Sequence, residues 1–394
     1  MSAILLMFLR YGSVSRVRLA DLTGLSTTTI TNLIAELIDL GIVRENDDEL
    51  PRNKRRGVGR PRKQLVLVPD ARYVVGIHFG VGSIRVALTD LLGTPVAVET
   101  LDHPLDLPVA DVLIQTASMA KALLKRHAGR TAGRLVGVGV GASGLVDPFT
   151  GVNVIAPNLN WHDVPLQEYF AGQLQLPTVV DNNVRAMALA EALFGVGKDV
   201  YSLAFVYARV GVGAGFVVGG QLYHGGGAGA GEIGHMTIVP DGGLVCRCGN
   251  TGCLETLVSE QVIVQAAQAI AHEAPDGLLA RHLHGGEGSL LDRVFEAARA
   301  GDARTQAMLD EHARYMGVAL ANLVNVFNPD LIVLGGIFAQ GWDVLLPEVQ
   351  ATMRRRAFAN LGEKVRLVHP SFNGNAGVVG AAALALNRFF YQQE

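Results

Sequence analysis

Hydrophobic residues in the first 40 positions recur with helical spacing in three separate segments. The first segment ends before Gly12 and the second before Gly24, and glycine commonly follows the last turn of a helix. The third begins at Ser26, a residue type favoured at helix N-termini, and extends to about Leu40. Its predicted buried stripe consists of Ile30, Leu33, Ile34, Leu37 and Ile38. The pattern predicts three short helices.

Short polar side chains begin the third predicted helix, and a recognition helix meets DNA with its N-terminal residues. A hairpin is predicted next, with strands near 42–44 and 64–66 and a basic tip that suits a phosphate track or a minor groove. We predict a winged helix-turn-helix DNA-binding domain over residues 1–70; a small three-helix packing domain is the alternative. The predicted DNA contacts are Ser26, Thr27, Thr28, Thr29, Thr31, Asn32, Arg55, Arg56, Arg60 and Arg62.

The charge distribution separates this segment from the rest of the chain. Residues 1–65 hold 11 Lys and Arg against 7 Asp and Glu, whereas the remainder is net negative. Seven of the basic residues fall between Arg52 and Lys63, with no acidic residue among them. This asymmetry indicates a polyanion-binding module joined to a body that binds no polyanion, although a solvated linker would also carry such a run.

Beyond residue 70, apolar runs end in glycine-rich turns. Four segments show this buried-strand pattern: 74–80, 136–141, 203–218 and 331–336. Residues 258–325, by contrast, have the composition of amphipathic helices. We predict an α/β body of two lobes over residues 71–394. Backbone N–H groups in such glycine turns can bind phosphates, but glycine also ends many buried strands.

Length and composition narrow the class of protein. A chain of 394 residues exceeds one compact domain, and 49% hydrophobic with 18% charged residues excludes wholesale disorder. The apolar run at the N-terminus is short and precedes its first basic residue, so we expect no signal peptide. No uncharged apolar stretch has the length of a membrane span. We expect a cytoplasmic protein.

All three cysteines fall within eight positions, too few for a disulfide framework and typical of metal or redox chemistry in a reducing compartment. With His235, the residues Cys246, Cys248 and Cys253 form a Cys3His set, which is typical of structural zinc. Three reduced core cysteines are the alternative. Glu232 and Glu255 flank this set, where carboxylates beside a rigid loop can bind sugar hydroxyls, or can be surface charges.

These residues resemble the signature of the ROK family, whose name covers repressors, open reading frames and sugar kinases. The resemblance rests on residues 231–235 and 246–255, and it continues through 158–161, 181–183, 328–330 and 374–380. It implies an actin-like (ribonuclease-H-like) two-lobed ROK domain over residues 71–394, with zinc bound by His235, Cys246, Cys248 and Cys253. The implied sugar pocket contains Asn158, Asn182, Asn183, Glu232, His235 and Glu255, with His235 serving both sites.

Three departures from the kinase pattern of the family indicate lost catalysis. The kinases carry an aspartate in the first strand-turn, where this chain has His78, and an aspartate general base where it has Asn183. They also place a hydroxyl between the glycines of the second phosphate turn, where this chain has Val212. Asparagine cannot accept the sugar proton, and loss of a positioned base typically costs about 10²–10⁴-fold in rate. We therefore expect no enzymatic activity.

The predicted function is a sugar-responsive transcriptional repressor of carbohydrate-utilisation genes. Its expected partners are operator DNA, a small sugar effector and a second copy in a homodimer or homotetramer, since one DNA-binding module gives little affinity. Two alternatives stay open. The first is a ROK sugar kinase fused to a DNA-binding head, and the second is a regulator controlled by a protein partner.

Overall fold

The N-terminal segment forms a small unit of three helices and a three-stranded antiparallel sheet. The protein is described by a computed structural model that covers residues 1–46, 63–227, 229–285 and 287–392. The elements of this unit, called the head below, are α1 (Ser2–Tyr11), β1 (Ser13–Ser15), α2 (Arg16–Thr23), α3 (Thr27–Asp39), β2 (Val43–Asn46) and β3 (Gln64–Leu67). Its sheet has the order β1-β3-β2.

The ends of the helices in the head follow the signals in the sequence. Ser26 caps α3, because its side chain accepts a hydrogen bond from the backbone N–H of Thr29. Gly12 and Gly24 end α1 and α2 with φ near +70°, a conformation that favours glycine. The predicted contacts Arg55, Arg56, Arg60 and Arg62 lie outside the described residues.

A first lobe surrounds a five-stranded mixed sheet of order β11-β7-β4-β5-β6. A second, small antiparallel sheet of order β10-β9-β8 is attached to it. The elements are β4 (Tyr73–Gly80), β5 (Ser83–Asp90), β6 (Pro95–Asp102), α4 (Val109–Arg126), α5 (Ala128–Thr131), β7 (Leu135–Ala142), β8 (Leu145–Asp147), β9 (Val152–Ala156), β10 (Trp161–Val164), α6 (Leu166–Leu174) and β11 (Thr178–Asn182).

A second lobe repeats the mixed-sheet plan with the order β14-β13-β12-β15-β16. It begins after helix α7 (Asn183–Phe194) and ends before helix α16 (Ala376–Leu386). The elements between them are β12 (Ser202–Ala208), β13 (Val212–Val218), β14 (Gln221–Leu222), α8 (Glu255–Val258), α9 (Glu260–Glu273), α10 (Leu278–Gly285), α11 (Leu290–Arg299), α12 (Ala303–Phe327), β15 (Leu331–Gly336), α13 (Ile337–Gln340), α14 (Trp342–Arg356), α15 (Leu361–Lys364) and β16 (Arg366–Val368).

Helices α7 and α16 are buried and pack against each other. Glycines in the strands let these two helices pack close to the sheets. A methyl group on Gly139 would lie 1.8 Å from the carbonyl oxygen of Ala381 in α16. A methyl group on Gly215 would lie 2.7 Å from Cβ of Ala188 in α7. The strand-turn-strand predicted for 203–218 is present as β12 and β13, but β13 already begins at Val212, so Gly213 and Gly215, expected in the turn, lie within the strand.

The head shares one hydrophobic core with the body. Buried residues of α1, including Phe8, belong to the same cluster as Leu189 and Leu193 of α7 and Leu386 of α16. The Arg10 side chain at the end of α1 also pairs with Asp199, at 3.2 Å, in the loop after α7. The boundary between residues 70 and 71 stays a prediction. Among the described residues, no helix combines the length and hydropathy that a membrane crossing requires.

Candidate functional site

One histidine and three cysteines come together in the loop between β14 and α8. The ligand atoms of His235, Cys246, Cys248 and Cys253 all lie within 4.8 Å of one another. The Sγ atoms of Cys248 and Cys253 are 3.8 Å apart, and Cys246 Sγ lies 3.8 Å from His235 Nδ1. A tetrahedral ion at about 2.3 Å from each sulfur would leave the sulfurs about 3.8 Å apart. The donor set and its spacing therefore fit a metal ion such as zinc.

Backbone hydrogen bonds hold the segment that carries the four candidate ligands, residues 235–253, which is called the cysteine loop below. The N–H of Cys246 donates to the carbonyl of Asn250 at 2.7 Å, and the N–H of Gly249 donates back to Cys246 at 3.0 Å. Gly252 has φ +69°, and a methyl group there would lie 1.8 Å from the carbonyl oxygen of Val239. Only glycine fits at that position, so the loop is built to bring its thiols together.

The thiols of this loop have different proton affinities. Burial raises the pKa of Cys253 to about 12 and also raises the pKa of Cys246. The backbone N–H of Asn250 lowers the pKa of the exposed Cys248 thiol. Since a metal ion binds thiolates, its arrival would release the protons that burial retains.

A tight turn holds Glu232 beside the cluster. Gly231, at φ +100°, accepts a hydrogen bond from the N–H of Ala214 at 2.7 Å, and a methyl group on it would lie 1.9 Å from the Ala214 carbonyl oxygen. Burial raises the pKa of the Glu232 carboxyl, while the nearby charges of His235 and Arg185 lower it. The residue as a whole nevertheless remains exposed to solvent.

Asn158 of the first lobe and Glu255 of the second both lie close to Gly211, and the space beside these two side chains is called the cleft below. A methyl group on Gly211 would lie 3.2 Å from Glu255 Oε2 and 3.6 Å from Asn158 Nδ2. The same Oε2 accepts a hydrogen bond from the N–H of Val212 at 3.0 Å, which fixes the Glu255 carboxylate. An amide donor and a carboxylate acceptor thus lie beside the same glycine, an arrangement that suits hydroxyl groups.

The two consecutive asparagines at the start of α7 have separate tasks. Asn182 is the N-cap: its Oδ1 accepts from the N–H of Val184 at 2.8 Å, and its Nδ2 donates to the carbonyl of Gly144 at 2.9 Å. Asn183 is buried and donates to Ser143 Oγ at 3.1 Å, while no described residue donates to its Oδ1. A helix-capping role for Asn182 was not predicted. The Asn182 side chain thus caps α7, whereas Asn183 Oδ1 has no donor among the described residues.

A buried ionic group that the sequence analysis missed supports the start of α7. Arg185 Nε lies 2.6 Å from Asp181 Oδ1, and His224 Nε2 lies 2.7 Å from Asp181 Oδ2. Arg185 also donates to the carbonyl of Val146 at 2.9 Å. The four-residue spacing of Asp181 and Arg185 was a usable signal, but nothing in the sequence points to His224.

His78 lies at the end of β4 beneath the start of α16. Both ring nitrogens are buried and have no hydrogen-bond partner among the residues that the structure describes. The ring touches α16, since a methyl group on Gly377 would lie 2.5 Å from its Cγ. Burial, with a smaller contribution from the charge of Arg85, lowers the pKa of His78 to about 4. Arg85 itself donates to Asn375 Oδ1 at 2.8 Å, which ties β5 to the loop before α16.

The predicted DNA contacts at the start of α3 are exposed. Some of their hydroxyls already have partners: Ser26 with Thr29 at 2.8 Å, and Thr31 with the carbonyl of Thr27 at 2.8 Å. The side chains of Thr27, Thr28 and Asn32 make no hydrogen bond to any described residue. Among the predicted contacts in α3, these three have polar groups that are available to a ligand.

Comparison with known proteins identifies the family. The model of the ROK family matches residues 74–388. This chain belongs to the ROK family. A putative xylose repressor of Caldicellulosiruptor sp. (strain Rt8B.4) is 31% identical over 98% of this chain and 94% of its own length. A glucokinase of Halalkalibacterium halodurans is 34% identical over 79% of this chain and 94% of its own length.

A solved structure extends the match to three dimensions. The crystal structure of a ROK family transcriptional regulator, a homolog of the E. coli Mlc protein, has a TM-score of 0.81 and 27% identity. The alignment covers 98% of this chain and 94% of that one. The resemblance to the ROK family is confirmed, as is a mixed α/β fold of the ROK kinase type. Relatives that match nearly the whole chain, head included, are named as transcriptional repressors.

Proposed function

We propose that this ROK protein is a sugar-responsive, DNA-binding transcriptional regulator that represses carbohydrate-utilisation genes. The observation that carries the proposal is the exposed polar start of α3 on a head whose core continues into α7 and α16. Its three helices and three-stranded sheet have the element order of a winged helix-turn-helix, in which the third helix enters the major groove. The names of the relatives that match the full length support the same function.

The effector in this proposal is a sugar bound between the lobes. Asn158, Asn183, Glu232 and Glu255 offer both donors and acceptors to the cleft, and hydroxyl groups need both. His235 would hold a structural zinc ion through Nδ1, the nitrogen nearest Cys246, and leave its other nitrogen for the sugar. Zinc would fix the loop that carries these groups, with no open coordination position for chemistry.

The domain would bind the sugar without phosphorylating it. Asn183 stands where the family kinases have their general base, and the amide side chain takes up no proton at neutral pH. His78 fills the first phosphate turn with a neutral ring packed against α16. The glucokinase relative keeps the kinase alternative open. ATP turnover in a coupled assay with D-glucose or D-xylose would favour that alternative.

Binding of the full-length protein to DNA from upstream of its own gene tests the proposal, with fluorescence anisotropy in a salt series. We expect sequence-selective, salt-sensitive binding by a homodimer or homotetramer, because basic groups displace counterions from phosphates. Thr28→Ala and Asn32→Ala should each weaken selective binding by about tenfold, the typical cost of one base contact.

The matched control is Asp39→Asn, which changes an exposed residue in the last turn of the same helix. It should bind the operator at least as tightly as the wild type. Equal affinity for specific and random DNA in the wild-type protein would contradict a regulator function. Unchanged affinity in both α3 variants would place the DNA contacts elsewhere.

A further inference from the structure

Arg247 connects the cysteine loop to the opposite lobe. It stands between Cys246 and Cys248, and its Nη1 donates to Asn158 Oδ1 at 2.6 Å. Its Nη2 lies 3.5 Å from Gln261 Oε1 in α9, a long contact that holds the guanidinium on the second lobe. Asn158 belongs to the first lobe, in the turn between β9 and β10. The hydrogen bond therefore spans the cleft between the lobes.

This hydrogen bond decides which end of the Asn158 amide faces the cleft. The two ends have nearly the same shape but opposite hydrogen-bonding character. Because the Arg247 guanidinium has only donors, it binds the side-chain oxygen of Asn158. The Nδ2 of Asn158 then faces Gly211 and Glu255. Asn158 then offers a donor opposite the Glu255 acceptor, whereas a flipped amide would set two acceptors against each other.

The cysteine loop holds Arg247 in place on both sides. Its neighbours Cys246 and Cys248 are two of the four residues in the candidate metal cluster. The loop is closed by the backbone bonds of Cys246 with Asn250 and Gly249. The loop therefore fixes where the Arg247 side chain starts, and its hydrogen bonds to Asn158 and Gln261 offset the cost of ordering that long side chain.

We propose that Arg247 is a positioning residue of the sugar site, a clasp that joins the cysteine loop to Asn158 of the first lobe. This inference rests on the proposed sugar function. It gives the cysteine loop a second task besides carrying His235: it sets the orientation of a polar group on the other side of the cleft.

Calorimetric titration of the full-length protein with D-xylose and D-glucose tests the clasp. Arg247→Ala should raise the sugar Kd by about tenfold, the effect of losing one hydrogen bond with a charged partner. Asn158→Ala should raise it at least as much, because it also removes the amide that faces the sugar. The double variant should bind sugar no worse than Asn158→Ala alone, because Arg247 acts only through Asn158. Arg247→Lys, which keeps a donor, should recover part of the affinity.

Zinc content must stay at the wild-type value in Arg247→Ala, so that a lost metal does not account for the result. Arg281→Ala, which removes an exposed arginine from α10, is the matched control and should leave the Kd unchanged. Additive effects of the two single variants, or a wild-type Kd in Arg247→Ala, would overturn the clasp.

If the wild-type protein binds neither sugar, the proposed function fails, but the hydrogen bond between Arg247 and Asn158 can still be tested. Hydrogen–deuterium exchange of residues 153–160 requires no ligand. Exchange there should rise in Arg247→Ala as it does in Asn158→Ala, and it should stay unchanged in Arg281→Ala. Unchanged exchange in Arg247→Ala would refute the clasp independently of any sugar.

Discussion

At the scale of single residues, burial determines the charge of His78. Its ring is enclosed by β4 and the start of α16, and no described residue bonds to either nitrogen. The folded protein therefore keeps this imidazole neutral, with its pKa lowered from 6.5 to about 4 by burial and by Arg85. In the unfolded chain the same ring would take up a proton near pH 6.5.

The stability of the protein should therefore fall as the pH drops from 6.5 toward 4. Above pH 6.5 both states hold a neutral ring, and below it the unfolded state binds a proton that the folded state excludes. This difference amounts to about 3 kcal/mol of unfolding free energy across the window. Urea unfolding of the wild type and of His78→Leu, measured at pH 7.5, 5.5 and 4.5, isolates the contribution of His78.

The variant should lose less stability than the wild type over this range, since all other groups titrate in both proteins. Parallel pH profiles for the two proteins would show that the imidazole is already protonated or solvated in the folded state.

The sequence predicted the role of a residue correctly where that role depends only on nearby positions in the chain. Ser26 caps α3, and the cysteines converge as their spacing indicated. It missed the capping role of Asn182, because that role depends on where strand β11 gives way to helix α7. It also missed Arg247, whose partner Asn158 is 89 positions away in the chain and is brought near only by the tertiary fold.

At the scale of elements, the cysteine loop contains almost no regular secondary structure. Its isolated pairings, Thr237 with Cys253 and Val245 with Thr251, are too short to hold a loop alone. A metal ion on four side chains would contribute the missing stability, as structural zinc does in small loops. The shape of the loop also requires glycine at position 252, because a side chain there would clash with the Val239 carbonyl oxygen.

Cys248→Ser should therefore release zinc, because serine is a poor zinc ligand and three ligands bind much more weakly than four. We expect elemental analysis to fall from about one zinc per chain to almost none, with weaker sugar binding. Leu244→Ser changes an exposed residue of the same loop and should retain both. Metal content near one per chain in Cys248→Ser would contradict the ligand set.

The strand pattern of the body was predictable because buried strands in a two-lobed α/β protein are continuous apolar runs. The glycines within β13 misled the prediction, since a sequence does not distinguish a glycine in a turn from one under a helix. Gly215 makes room for α7, and Gly139 makes room for α16. Such close approaches exist only between segments that the fold brings together.

At the scale of the whole molecule, α7 connects the candidate sugar site with the head. It begins at Asn183, a residue of the proposed sugar site, and its later residues Leu189 and Leu193 belong to the core that includes α1. Because α7 is buried along its length and closely packed, a displacement of its start would be transmitted to the head. A sugar that favours one closure would therefore shift the head, provided that it binds the two conformations with different affinity.

Leu193→Ala should weaken this coupling while the sugar Kd stays unchanged. The cavity would cost about 2–5 kcal/mol of stability and loosen the packing between α7 and the head. Leu309→Ala, in a core cluster of the second lobe without head residues, is the matched control for stability. The test measures DNA affinity with and without sugar in both variants. An equal effect of sugar in the two variants would exclude α7 as the connection between the sugar site and the head.

Reciprocal linkage of sugar and operator binding in the full-length protein would show whether the two sites are coupled. Operator Kd is measured with and without saturating sugar, and sugar Kd with and without operator. Both should change by the same factor, about 5- to 150-fold for typical coupling, and Glu232→Ala should abolish the change while it retains sugar-free operator binding. A sugar that binds and leaves the operator Kd unchanged, or a Glu232→Ala variant that responds like the wild type, would contradict the account.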